Sequence, residues 1–217
     1  MSWLLWREYR LNRLILTVGF MGLLLPCMIV FLNSIGGSDD HETAWVLVIL
    51  LSELTVAMLA GNAIAGERAD CSAEFVAYLP LRRPRLVASK LLLFMITITA
   101  MWSVSALIAP ADCPGVFPFP TSFFVIYGVG WCLSSIQSST VFASVMGWCA
   151  HIVVLVSSLV FFLTTMKLEE HTVSNMEENL VDYVFEPTLD LYNTIGLTVA
   201  VVSFSIGTWA YLRRSAP

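Results

Sequence analysis
Charged side chains are scarce in this chain. Only 12% of its 217 residues are Asp, Glu, Lys or Arg, against roughly 25% in a soluble domain. Half of the usual water-facing surface is missing, which excludes a water-soluble globule. Between residues 117 and 166 no Asp, Glu, Lys or Arg occurs at all. Catalytic signatures are missing too: there is no HExxH, no GxSxG and no paired Asp motif, so metal-assisted and nucleophile-elbow hydrolysis lack their residues. The five cysteines, at 27, 71, 113, 132 and 149, form no CxxC pair. That argues against zinc or dithiol chemistry and leaves small buried thiols. Gly61-Asn62-Ala63-Ile64-Ala65-Gly66 has the glycine spacing of a phosphate loop. Such a loop continues with Lys and then Ser or Thr, whereas Glu67 and Arg68 stand here, and the Glu67 carboxylate would repel phosphate. The chain is therefore not expected to be an enzyme, to hold a metal or cofactor, or to bind nucleic acid.

Apolar sequence is abundant, at 58% of residues. A helix needs about 20 apolar residues to cross a hydrocarbon core of roughly 30 Å. Six runs qualify: 14–32, 44–65, 91–110, 117–136, 140–166 and 191–212. The polar cluster Ser134, Ser135, Gln137, Ser138, Ser139 and Thr140 splits the longest uncharged stretch at a tight turn. Backbone groups in lipid must be satisfied internally, so these runs are helices. The expected fold is an all-α integral membrane protein, one domain over residues 1–217 with six transmembrane helices. The first run is too long for a secretory signal and lacks a small-residue cleavage site, so it reads as a retained anchor.

The charges sort by side. Arg7, Arg10 and Arg13 precede the first run, Arg68, Arg82, Arg83, Arg85 and Lys90 lie between the second and third, and Arg213 and Arg214 follow the sixth. Six crossings put all of them on one face, with only Lys167 in a loop of the other parity, and the positive-inside rule assigns that face to the cytoplasm. Asp39, Asp40, Glu42, Asp112, Glu169, Glu170, Glu177, Glu178, Asp182, Glu186 and Asp190 fall on the other. Both termini are expected to be cytoplasmic, and the location to be a plasma membrane, as in a bacterial inner membrane. Trp45 and Tyr192 at the outer surface, and Trp209 and Tyr211 at the inner, fit interfacial belts. The start, Trp3-Leu4-Leu5-Trp6-Arg7-Glu8-Tyr9-Arg10, predicts an amphipathic helix lying along the inner interface.

Two segments outside the membrane are long. In the outer one, 167–190, Ser174 to Glu177 fits a capping box, Met176, Leu180 and Val184 recur at helical spacing, and Pro187 ends the pattern. In the inner one, 66–90, a helix can continue past the membrane until Pro80 and Pro84 enforce a turn, and the cations that follow sit at headgroup level, where they bind anionic lipid. Within the spans, Ala57, Gly61 and Ala65 recur every four residues and give a smooth packing face. Glu53 is a mid-span carboxylate, by default a functional residue. His151 lies mid-span in the fifth run, at a depth that permits contact with Glu53; both are candidates for a translocation path.

Taken together, these features resemble the membrane subunit of an ABC-2 type transporter: six helices, both ends inside, an amphipathic start and a larger outer segment before the last span. The inner segment carries the resemblance most specifically, through Glu67, Glu74, Pro80, Arg82 or Arg83, and Lys90, although Cys71-Ser72 stands where the family often has Gly-Thr. The resemblance implies an export permease that binds no ATP itself. A dimer of separate ATPase subunits, carrying ATP and Mg, would dock inside against Glu67, Arg68, Glu74, Pro80, Arg82 and Arg83, and a second permease copy or a homologue would complete the path. The alternative is a membrane scaffold or assembly factor without a transport cycle. A secondary transporter would more often show two repeated halves and several mid-membrane charges.

Overall fold
The structure, a computed structural model, describes residues 2–36, 41–69, 83–108, 121–169 and 180–214. Every element among the described residues is a helix: α1 (Ser2–Gly36), α2 (His41–Ala69), α3 (Arg83–Ile108), α4 (Thr121–Ile136), α5 (Thr140–Glu169) and α6 (Leu180–Arg214). Four stretches, Leu47–Arg68, Arg83–Ser103, Thr140–Phe161 and Thr188–Arg213, are long and apolar enough to cross a membrane. Helix α4 is equally apolar but has 16 residues, about 24 Å of rise. It fills the middle of the bundle against α2, α5 and α6, while α1 packs on α2 and α3. Val125, Ile126 and Trp131 of α4 are wholly buried.

Small residues permit this packing. A Cβ on Gly128 would lie 2.6 Å from the Ala200 carbonyl oxygen of α6, and one on Gly147 would lie 2.9 Å from the Ile126 oxygen of α4. Ala57 and Ala65 are buried, and a Cβ on Gly61 would collide with Ser144 Oγ and the Thr140 oxygen. The stripe on α2 thus meets α5, as its spacing predicts.

Polarity is inverted relative to a soluble fold. Leu14, Met21, Leu25, Val141, Val153 and Val201 are exposed, whereas Glu8, Glu53, Glu67, Lys90 and His151 are buried. Water would drive the opposite arrangement. The chain is a membrane protein.

The expected turn is present: α4 ends at Ile136 and α5 begins at Thr140. Ser139 caps α5, its Oγ accepting the Phe142 N–H at 3.3 Å. Other expectations need correction. The amphipathic start is no separate interfacial helix, because α1 runs unbroken from Ser2 to Gly36. Its polar residues Glu8 and Asn12 are buried, so the segment packs into the bundle. Likewise α3 begins at Arg83, which makes 83–90 helix and places Pro84 in a first turn, where a missing N–H costs nothing. Lys90 is buried in the bundle, so its ammonium faces protein and not lipid headgroups. Pro187 does not end a helix, since α6 runs from Leu180 to Arg214; proline is tolerated in membrane helices where neighbouring groups satisfy the freed backbone. Tyr192 is buried, so it is no interfacial anchor. Glu74, Pro80, Arg82 and the capping box at 174–177 lie outside the described residues.

Candidate functional site
The polar interior is concentrated in two places, one near the end of the bundle that carries the basic residues and one deeper. At the basic end α1, α2 and α3 meet through four charged side chains. Lys90 Nζ lies 3.0 Å from Glu8 Oε2 and 3.2 Å from Glu67 Oε1. Arg7 reaches the same carboxylates, with Nη2 3.0 Å from Glu67 Oε1 and Nη1 3.3 Å from Glu8 Oε1. Two cations therefore neutralise two anions. The Lys90 and Glu8 side chains are 3% and 1% exposed, so removing any one member would leave an uncompensated buried charge. Beside the network, Asn62 Nδ2 of α2 donates to Asn12 Oδ1 of α1 at 2.8 Å.

Two further cations close helix ends. Arg68 Nη2 donates to the Ser135 carbonyl at 2.7 Å, at the C-terminus of α4, where free carbonyls and the helix dipole favour a cation. Arg83 Nη1 donates to the Leu212 carbonyl of α6 at 3.5 Å. One turn beyond Lys90, Phe94 stacks on Tyr127 with centroids 3.6 Å apart, and Tyr127, Trp131 and Phe204 continue the aromatic packing.

The deeper group lies 14 residues back along α2, about 21 Å away. Glu53 Oε1 is 3.2 Å from His151 Nε2, Trp148 Nε1 donates to Glu53 Oε2 at 3.3 Å, and Tyr192 Oη is 2.8 Å from His151 Nδ1. With Glu53 ionised, Nε2 must carry a hydrogen, and a neutral ring then accepts the Tyr192 hydroxyl hydrogen at Nδ1. The chain Trp148–Glu53–His151–Tyr192 ties α2, α5 and α6 together and engages every polar atom of the carboxylate and imidazole. Nearby, Thr121 Oγ1 of α4 donates to Asn193 Oδ1 of α6 at 2.8 Å.

The six positions assigned to an ATPase contact thus part company. Glu67 is buried in the ionic network, Arg68 and Arg83 hold helix ends, and Glu74, Pro80 and Arg82 lie outside the described residues. Glu53 and His151 are brought together. Sequence reasoning missed Arg7, Glu8 and Lys90 as a unit, and Trp148 and Tyr192 as partners of the deeper pair. Glu8 and Asn12, four residues apart, share a helix face, a signal that could have marked α1 as packing inward. Among the described residues no group of three His, Cys, Asp or Glu is placed to hold a metal, and Cys132 and Cys149 are free and half-buried. Comparison with family models, characterised proteins and solved structures returned no match for this chain.

Proposed function
We propose that the chain is the permease subunit of an ATP-binding cassette export system of the ABC-2 type, with six crossings, both termini in the cytoplasm and a separate ATPase dimer docked at the basic end. The observation that carries this reading is the network of Arg7, Glu8, Glu67 and Lys90. It fastens α1, α2 and α3 to one another near the 70–82 segment that resembles the family's ATPase contact, through Glu67 just before that segment and Lys90 two turns after it. Force applied to that segment would reach three helices together. Glu74, Pro80 and Arg82 are then the docking positions, and Glu67 transmits from within. Movement of α2 against α5 and α6 would have to part Glu53 from His151, which gives the deeper pair a place on the path between a closed and an open bundle.

The test is co-purification of the tagged chain in mild detergent from a strain expressing its neighbouring genes. An ATP-binding cassette protein should accompany it in stoichiometric amount and be lost when Glu74 and Arg82 are reversed in charge. A folded chain that purifies alone would favour the scaffold.

A further inference from the structure
Helix α1 has one face that the bundle does not use. Trp3, Trp6, Arg10 and Arg13 stand three or four residues apart and share that face. All four are exposed. Toward the other end of α1 the same face continues as Leu14, Met21, Leu25 and Met28, 59–70% exposed. The opposite face, with Leu4, Glu8, Asn12, Leu16 and Leu23, is buried. The open face therefore changes from indole and guanidinium to side chains that are apolar except for Thr17, the polarity profile of a phospholipid. At its charged end is a groove of about 440 Å³ lined by Trp3, Trp6, Arg7, Arg10, Leu11 and Arg13. Arg7 is committed to Glu8 and Glu67, which leaves Arg10 and Arg13 to face it.

We propose that this groove binds the headgroup of an anionic phospholipid, its phosphate between the Arg10 and Arg13 guanidinium groups and its acyl chains along Leu14, Met21 and Leu25. Guanidinium forks match phosphate oxygens. Trp3 and Trp6 lie on the water side of the arginines, where indoles pack their rings against polar headgroup atoms while their N–H groups stay hydrated. Zwitterionic lipid fits the apolar stretch equally well but brings a choline cation toward the arginines, so the site selects by charge. The inference rests on the chain being a membrane protein and holds with or without an ATPase partner.

Native mass spectrometry of the full chain in mild detergent tests it, with equimolar phosphatidylglycerol and phosphatidylcholine added. The wild type should retain phosphatidylglycerol preferentially. Arg10→Gln/Arg13→Gln should weaken that retention roughly 30-fold, about 2 kcal/mol at 1.4 kcal/mol per decade, with thermal unfolding unchanged. Arg10→Lys/Arg13→Lys should keep most of it. Arg85→Gln/Arg213→Gln, two cations elsewhere at the basic end, should leave it intact. Equal losses in the two glutamine pairs would mean diffuse surface charge and overturn the site. So would a wild type with no lipid preference, or lipid displaced by millimolar glycerol 3-phosphate, which would mark a soluble-phosphate site. A glutamine pair that keeps its lipid but separates from a second copy of the chain would give the face to self-association instead.

Discussion
Lys90 holds its ammonium between Glu8 and Glu67, and Arg7 completes the balance from the partly exposed side. Replacing Lys90 by Met leaves two buried carboxylates facing a single cation. A loss of about 3–5 kcal/mol is expected, read as thermal unfolding in detergent, with Lys90→Arg much milder; a Met variant within 1 kcal/mol of wild type would show that the charges are solvated. Glu53 and His151 form a simpler pair. A double-mutant cycle through Glu53→Leu and His151→Leu should return a coupling of about 1 kcal/mol, whereas additive effects would mean that the 3.2 Å contact contributes nothing. The two groups differed in legibility for a physical reason. Glu53 and His151 stand alone in apolar surroundings, where an ionisable group is conspicuous. Glu8 and Lys90 sit among other charges near helix ends, where they look like orientation markers, and only the meeting of three helices turns them inward.

At the scale of elements, the helices were legible from their apolar runs and the α4–α5 turn from its serines. Other boundaries were not. Pro84 and Pro187 read as stops, yet each lies within a helix here, Pro84 in a first turn where its missing N–H has no intrahelical partner to lose. Close approach between helices depends on glycines that no run of hydropathy reveals. Gly147→Leu places a side chain against the Ile126 carbonyl and Gly130 of α4, and about 1–3 kcal/mol of destabilisation is expected. Gly22→Ala is the matched control, because its Cβ would meet only Leu51 at ordinary contact, 3.9 Å. Similar unfolding temperatures for the two variants would disprove the tight α4–α5 seam.

For the whole molecule, a largely apolar exposed surface and four helices long enough to span support the membrane assignment, and charge asymmetry sets the expected orientation. Cysteines placed at Ser2 and Ser215 should resist an impermeant maleimide added outside intact cells, and one placed at Asp190 should react; labelling at either terminus would reverse the topology. In the proposed permease, work done by a partner at the basic end must be felt at the other end through Glu67. The most direct measurement uses the complex with the proposed ATPase in liposomes, the native cysteines replaced by alanine and Asp190→Cys as reporter. The labelling rate should change when Mg-ATP is added, and should stop responding when Glu67→Gln is introduced while the ATPase stays bound. A bound, hydrolysing ATPase with labelling indifferent to ATP, or a response that survives Glu67→Gln unchanged, would contradict the account.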